Sequence, residues 1–483
     1  MKHIIAILIA SSLILFPLLT SCSEKQTKLS SDTDQTLNLS DETAASADTA
    51  AQYAPLPSRD AGGNDFSILI RSEWAYEFDV GEQNGDIVND AVFTRNTNTA
   101  EKYNVNLKFI SSPGDWANHG AFEKLITSSV LAGDGEYDLI AGYQACLVIN
   151  ISNGEFLNIL DLPYLELEAP WWLQVGLENL TFNGKCFMVT GDIALSALEE
   201  IFCIFFNKGL ARNYNTPDLY AAVKDGGWTH AKLLEVIKDV TADKNGDGVM
   251  DANDLYGFVS SDTYVRPYVV AYDTPTLKLS DGSAEIIWNT ERTYNVVESL
   301  IDLFYVQNAR YAGAKDDVIT AFRNELALIV PSMLGYASVL RGMDTDFGII
   351  PYPKYDENQE SYYTTTLNEA TMMVVPITVK DPDLSAFLLE ALCRESTDTV
   401  AHNFYNISLM TKMTRDDDSE EMIELIRSTL SFDFGWIHSM IAVVSGAQYS
   451  NMVRDKNSDF ASWYASQEET ITEKVKKLET IYG

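Results

Sequence analysis

The chain has 483 residues, 46 % of them apolar and 22 % charged, which is the composition of a folded protein with material for two or three domains. Its 34 Lys and Arg residues against 70 Asp and Glu residues give a formal charge of −36 and a pI near 4.3. A surface of that sign repels phosphate backbones and anionic lipid head groups, so nucleic-acid binding is not expected.

The N-terminus carries a pattern typical of export. Lys2 and His3 precede a mostly apolar stretch over 4–19, which is shorter than the ~20 residues that span a bilayer. The junction that follows, Leu19-Thr20-Ser21-Cys22, resembles a bacterial lipobox. We therefore expect 1–21 to be a lipoprotein signal peptide. Cys22 would carry acyl chains such as palmitate, which anchor the mature protein to the outer face of the cell membrane. A plain signal peptide with a chance cysteine is the alternative.

The segment from the anchor to the folded body is polar. Residues 22–63 are mainly Ser, Thr, Asp, Ala and Gln, with almost no large apolar side chain before Tyr53. Such a segment cannot bury enough surface to fold, so it is predicted to be a flexible tether.

Four cysteines remain beyond the anchor: Cys146, Cys186, Cys203 and Cys393. They have no CxxC spacing and no histidine nearby in the sequence, so a zinc site is not expected. A disulfide between Cys186 and Cys203 and a set of buried free thiols are both open.

Beyond the tether, apolar strand-like runs alternate with helical stretches. The first part of this pattern is β-α-β-α-β, which predicts a mostly parallel sheet. The later part again mixes strands and helices and ends in a helix-rich C-terminal third. No Gly-x-Gly-x-x-Gly or P-loop sequence follows the first strand, so nucleotide binding is not supported. The predicted strands are 66–70, 105–110, 137–140, 186–190, 200–206, 327–330, 347–350 and 372–375, and the predicted helices are 90–103, 121–131, 231–240 and 290–306.

The segment 243–254 has the spacing of a calcium loop, with oxygen side chains at positions 1, 3, 5, 9 and 12 and Gly248 at position 6. It differs from an EF-hand in having an Asp at the last position. A single copy argues against a dockerin and its cohesin partner. We expect a structural Ca²⁺; an acidic surface turn without metal is the alternative. The predicted ligands are Asp243, Asn245, Asp247, the Val249 carbonyl, Asp251 through water, and Asp254.

Several segments together resemble the extracellular solute-binding proteins of ABC importers, family 1, which includes the maltose-binding protein. The resemblance is to its lipid-anchored branch for sugars and covers most of residues 65–465. The segments that carry it are 84–92, 137–140, 169–172, 190–196, 205–208, 256–258 and 346–354.

The resemblance implies an α/β Venus-flytrap, that is, a two-lobed periplasmic-binding-protein fold of type II-like topology with crossover hinge strands. It assigns 64–185 plus 317–370 to lobe 1 and 186–316 plus 371–483 to lobe 2. The implied function is that of a monomeric, non-enzymatic binder. It would capture a neutral oligosaccharide between the lobes and deliver it to the transmembrane subunits of an ABC permease.

Candidate ligand-binding residues follow from the resemblance and from strand ends, where open α/β sheets bind ligands. The family stacks aromatic faces on sugar rings and hydrogen-bonds the hydroxyl groups with carboxylates, amides and Arg. The candidates are Trp116, Tyr143, Asp192, Ser196, Tyr264, Arg266, Tyr268, Tyr336, Glu369 and Trp436.

Two other classes of function remain as alternatives. An α/β-hydrolase is not supported because the chain lacks a Gly-x-Ser-x-Gly elbow, and no His-x-x-x-His pair indicates a metalloprotease. A glycoside-active enzyme needs a pair of carboxylates, but 70 acidic residues make such pairs uninformative. A surface adhesin or structural lipoprotein on the same fold cannot be separated from a transport binder by sequence.

Overall fold

The computed structural model describes residues 53–405 and 417–483. The predicted signal peptide, the predicted lipidation site Cys22 and most of the predicted tether lie outside these residues. From Tyr53 to Gly483 the chain forms one unit. Its strands, in chain order, are β1 Asp65–Arg71, β2 Asn106–Ser112, β3 Leu139–Tyr143, β4 Phe202–Asn207, β5 Thr241–Ala242, β6 Leu255–Ser260, β7 Leu277–Ser280, β8 Ser283–Ile286, β9 Ala309–Tyr311, β10 Ala327–Met333, β11 Phe347–Ile350 and β12 Thr371–Val374.

The α-helices cover the sheets and form most of the C-terminal part. Several of the longer ones begin at a capping side chain; at the start of Ile87–Tyr103, Asp86 accepts hydrogen bonds from the N–H groups of Val88 and Asn89. The α-helices span Ile87–Tyr103, His119–Ala132, Gln144–Ser152, Gln174–Leu180, Ser196–Glu199, Lys208–Asn213, Leu219–Lys224, His230–Ile237, Asp262–Val265, Tyr268–Ala271, Glu291–Tyr305, Lys315–Arg323, Ala337–Leu340, Pro382–Ser396, Asp417–Ser428, Phe434–Ile437, Ser439–Ala442, Ala447–Asp455 and Phe460–Tyr482.

The first sheet has the order β12-β3-β1-β2. The central strand β1 pairs in parallel with both β2 and β3, which confirms the predicted parallel β-α-β-α-β unit. The edge strand β12 is antiparallel to β3. Side chains in the middle of β1 are fully buried on both faces, as expected of a central strand covered by helices.

The second sheet has the order β11-β4-β10-β6-β5, with β9 also paired to β6. The strand β10 is antiparallel to β4 and parallel to β6. The predicted grouping of 317–370 with lobe 1 and of 371–483 with lobe 2 is therefore wrong for three strands. Both β10 and β11 belong to the second sheet, and β12 belongs to the first. An apolar run shows where a strand lies but not which strand it pairs with.

The predicted strand at 186–190 is also different in the structure. Within that run, Val189 forms only an isolated bridge, and its partner is Met373 of β12. This segment therefore lies against the first sheet and not in the second lobe, where the sequence placed it. Cys186 and Cys203 are free and buried, as are Cys146 and Cys393.

Two crossover segments connect the sheets. Residues 191–201 lead from the first sheet to β4, and residues 351–370 return from β11 to β12. The segments pair with each other through an antiparallel bridge between Ile201 and Thr366. The Leu367 N–H donates to the Glu200 carbonyl at 3.0 Å next to this bridge. Paired crossovers between two sheets are the hinge arrangement that the sequence predicts.

Candidate functional site

A cavity of about 890 Å³ opens at the carboxyl ends of strands from both sheets. One wall follows β2 and β3, the opposite wall follows β6 and β9, the return crossover forms the floor, and C-terminal helices complete the enclosure. The lining residues are Trp116, Tyr143, Ala145, Asp262, Thr263, Arg266, Gly313, Ala314, Lys315, Leu367, Asn368, Glu369, Trp436, Ser439, Met440, Val443, Ser445, Ala447, Gln448, Asn451, Trp463 and Gln467.

Half of the predicted ligand-binding residues meet in this cavity. They come from five separate parts of the chain, which the fold brings to one place. Each follows or precedes a strand end or lies in a C-terminal helix. The five residues are Trp116, Tyr143, Arg266, Glu369 and Trp436.

Aromatic rings form two parts of the wall. The Trp116 side chain is 55 % exposed, and its ring centroid lies 6.3 Å from that of Tyr143. The Arg71 guanidinium lies 5.4 Å from the Tyr143 ring centroid, within the range of a cation–π contact. The exposed Trp116 face is therefore available to a flat, apolar ligand surface.

Trp436 also borders the cavity, although only 4 % of its surface is exposed. The Asp433 carboxylate caps its short helix by accepting a hydrogen bond from the Trp436 N–H at 2.7 Å. A Cβ on the neighbouring Gly435 would lie 2.2 Å from the Thr276 hydroxyl oxygen, so only glycine allows this turn to pack so closely. The Asp433 cap and the close packing at Gly435 thus hold the backbone of this turn in place.

The charged side chains of the wall are balanced, with the carboxylates of Asp262 and Glu369 against the cations of Arg266 and Lys315. Burial opposes the charged form of Lys315, but nearby Tyr336 and Glu369 raise its pKa above the ordinary value, so Lys315 is cationic. The Arg266 Nε is buried and has no hydrogen-bond partner among the described residues.

The structure places the other predicted ligand-binding residues outside the cavity wall. Two of them belong to the first crossover. The Ser196 hydroxyl donates to Glu77 and accepts from the Thr371 N–H, and Asp192 accepts from the Thr397 hydroxyl at 2.8 Å. Burial raises the pKa of Asp192 to about 6. Ser196 and Asp192 therefore make hydrogen bonds within the hinge and do not line the cavity.

The remaining three are tyrosines. Tyr264 and Tyr268 are fully buried, and the Tyr268 ring packs against those of Tyr272 and Tyr352 at 4.6 and 5.1 Å. Tyr336 is half-buried. It is not part of the cavity wall, but it interacts electrostatically with Lys315, which is. A tyrosine beside a strand end buries its ring in the core more easily than an arginine buries its charge, which separates these residues from Arg266.

The sequence did not single out several polar residues of the wall. Asp262 follows β6 and Lys315 follows β9, and the sequence predicted neither strand, so the strand-end rule that selected Trp116 was not applied to them. Asn368 lies in the return crossover beside Glu369. Nothing in the sequence distinguishes Gln448 or Trp463 from other residues on the surface of C-terminal helices.

The predicted calcium loop connects β5 to β6. Both carboxylate oxygens of Asp243 accept backbone hydrogen bonds, from Gly246 at 2.6 Å and Gly248 at 2.8 Å. The buried Asp254 carboxylate accepts from the N–H groups of Asp251 and Lys244, which lower its pKa. The loop is thus curled around its oxygen side chains, a donor set that fits a hard cation, and Ca²⁺ binding stays a prediction.

No protein-family model and no curated protein matches this chain. Solved structures that share its fold include the following two. A cyclo/maltodextrin-binding protein complexed with maltotetraose is 11 % identical, with a TM-score of 0.53 over 82 % of this chain and 98 % of its own. An ABC-transporter solute-binding protein from Thermotoga lettingae, bound with α-D-tagatose, is 13 % identical, with a TM-score of 0.51 over 87 % of this chain and 100 % of its own.

The chain has the two-lobed fold of periplasmic binding proteins. This confirms the predicted fold class, and at such identities the likeness establishes the fold alone. Among the described residues, no helix is both long and apolar enough to cross a bilayer.

Proposed function

We propose that this protein is the lipid-anchored, extracytoplasmic substrate-binding subunit of an ABC importer and that it captures a neutral carbohydrate between its lobes. The observation that carries the proposal is the cavity of about 890 Å³ at the strand ends of both sheets, where aromatic faces and hydrogen-bonding side chains meet. Two of the solved structures that share the fold are described as bound to maltotetraose and to α-D-tagatose.

The wall has the chemistry that a sugar requires. A pyranose ring offers apolar C–H faces and hydroxyl edges, so it is bound by aromatic rings together with donors and acceptors. Trp116 and Trp436 supply aromatic rings to the wall, while Arg266, Glu369 and Gln448 supply polar groups. A cavity of this volume has room for a small oligosaccharide.

The charge of the wall supports a neutral ligand. Two carboxylates face two cations, Arg266 and Lys315, so an anionic ligand would gain no net attraction from the wall. The overall charge of −36 would repel an anion on approach.

The hinge and the predicted anchor suit delivery to a membrane permease. Closure of two lobes about the paired crossovers converts ligand binding into a shape that a permease can recognise. A lipid on Cys22 and a tether over 22–63 would keep the binder at high local concentration near that permease.

The test is the melting temperature of the full chain, with Ca²⁺ present, against neutral mono- and oligosaccharides, amino acids and short peptides. A ligand that binds only the native state raises the melting temperature. We expect a rise of several degrees with one class of sugar. A rise with amino acids or peptides alone would overturn the carbohydrate assignment. A folded protein that none of these compounds stabilises would favour the adhesin or structural lipoprotein.

A further inference from the structure

Three side chains of different chemistry meet beside the cavity. The ligand atoms of His119, Glu123 and Cys146 all lie within 4.8 Å of one another, and among the described residues no other three His, Cys, Asp or Glu side chains form such a group. The sequence argues against zinc because no histidine is near a cysteine along the chain. Folding supplies the histidine from a different helix.

The local structure explains how the group forms. His119 and Glu123 are four residues apart in the helix His119–Ala132, so both project from the same face. Cys146 lies in the first turn of the helix Gln144–Ser152, which begins directly after β3. The first sheet places the two helices side by side, and the thiol of one faces the side-chain pair of the other.

Two further observations favour the binding of a cation by these side chains. The His119 Nδ1 bonds to the Trp116 carbonyl oxygen, which requires a proton on Nδ1 and leaves the Nε2 lone pair free as a ligand. The Glu123 Oε1 is buried and has no hydrogen-bond partner among the described residues. A buried acceptor without a donor is costly, and a cation beside it would remove that cost.

We propose that His119, Glu123 and Cys146 bind one divalent cation, and that the cation is Zn²⁺. An imidazole nitrogen, a carboxylate oxygen and a thiolate are the three ligand types of zinc proteins, whereas Ca²⁺ prefers oxygen alone. Zinc bonds of about 2.0–2.3 Å place tetrahedral ligands ~3.3–3.8 Å apart, so small side-chain rotations would close the group around the ion.

Binding would replace the thiol proton of Cys146 with the metal, and that proton would leave to the buffer. Three protein ligands leave a fourth position for water. The site is distinct from the predicted calcium loop and does not depend on the proposed function. Because His119 also holds the Trp116 carbonyl, a bound ion would stiffen the segment that carries Trp116 into the cavity wall.

Co²⁺ is the probe for the test, because a thiolate bound to Co²⁺ gives a near-ultraviolet charge-transfer band that oxygen and nitrogen ligands do not give. The experiment uses the full chain carrying Cys22→Ser, which removes the thiol outside the described residues. We expect one Co²⁺ per chain with a thiolate band, and we expect Zn²⁺ to displace the Co²⁺ and abolish the band.

Cys146→Ser should remove the thiolate band. His119→Gln should weaken Co²⁺ binding at least tenfold. The matched control, Cys393→Ser, should change neither the band nor the affinity for Co²⁺. Circular dichroism without metal shows whether each variant folds. If Cys146→Ser does not fold, the rate of Cys146 alkylation in the parent chain replaces it, and Zn²⁺ should slow that rate. Three results would each overturn the proposal. The parent could show no thiolate band, the band could persist in Cys146→Ser, or Zn²⁺ could leave the rate of Cys146 alkylation unchanged.

Discussion

The Glu77 carboxylate accepts two hydrogen bonds from Ser196, one from its backbone N–H at 3.1 Å and one from its hydroxyl at 3.0 Å. The same Ser196 oxygen accepts from the Thr371 N–H at 2.9 Å, and the Thr371 hydroxyl donates to the other Glu77 oxygen. Arg71 completes the group by donating to the Thr371 hydroxyl at 2.7 Å. Ser196 therefore ties the first crossover to both β12 and the segment after β1.

We expect Ser196→Ala to lower the free energy of unfolding by about 1–3 kcal/mol, because it leaves the buried Glu77 carboxylate short of a donor. Urea unfolding measures this change. Ser428→Ala is the matched control, since Ser428 is exposed and its hydroxyl bonds only within its own helix. A loss in Ser196→Ala no larger than in the control would show that the hinge network contributes little.

Two half-buried acids near the hinge, Asp192 and Glu199, should make stability depend on pH. Burial raises the pKa of Asp192 to about 6 and that of Glu199 to about 7, with the charge of Glu77 adding to the second shift. Unfolded carboxyls titrate near ~4, so the folded state binds more protons between about pH 4 and pH 7. The stability contributed by these protons is present at low pH and is lost as pH rises through the folded pKa values.

The double variant Asp192→Asn, Glu199→Gln should therefore lose less stability than the parent between about pH 5 and pH 8. Urea unfolding at both pH values gives the comparison. The control is Asp281→Asn, Glu285→Gln, which changes two exposed acids in the β7–β8 hairpin. If both double variants keep the pH dependence of the parent, Asp192 and Glu199 are not its source.

The calcium loop gives a stability prediction of its own. Ca²⁺ should raise the melting temperature of the parent, and Asp247→Ala should lose most of that rise because it removes a predicted ligand. The comparison of each protein in Ca²⁺ and in chelator separates the metal effect from the loss of the Asp247 hydrogen bonds within the loop. Asp281→Ala should respond to Ca²⁺ like the parent. An equal rise of the melting temperature in all three proteins would show that Ca²⁺ does not act through this loop.

Tyr268 lies in the core and not in the cavity wall. Its hydroxyl is buried and has no hydrogen-bond partner among the described residues. Tyr268→Phe removes an unsatisfied polar atom and should be neutral or stabilising in urea unfolding. Tyr449→Phe is the matched control, because the Tyr449 hydroxyl donates to Thr274 at 2.7 Å and its loss should destabilise the fold. A larger loss for Tyr268→Phe than for Tyr449→Phe would indicate a role for the Tyr268 hydroxyl that the fold does not show.

The sequence predicts local features well and long-range partners less well. The parallel unit of β1, β2 and β3 follows from alternation along the chain, and Trp116 and Tyr143 follow from its strand ends. The sheet to which β10 and β12 belong depends on pairings that no local pattern encodes.

The candidate site shows the same limit. Arg266 and Tyr268 are two residues apart, yet one lines the cavity and the other lies in the core, since only the detailed packing decides which side chain points outward. His119 and Cys146 are unremarkable in sequence, and only the arrangement of their helices on the sheet brings them together.

The central claim is that a neutral carbohydrate binds in the cavity between the sheets. Isothermal titration calorimetry tests it most directly, with the sugar that most raises the melting temperature titrated into the parent, Trp436→Ala and Tyr268→Phe. The account predicts one binding site per chain, an affinity kept in Tyr268→Phe, and a loss of about 2 kcal/mol, or ~30-fold, in a folded Trp436→Ala. Equal affinity in all three proteins would contradict it, because the sugar would then bind away from the Trp436 wall.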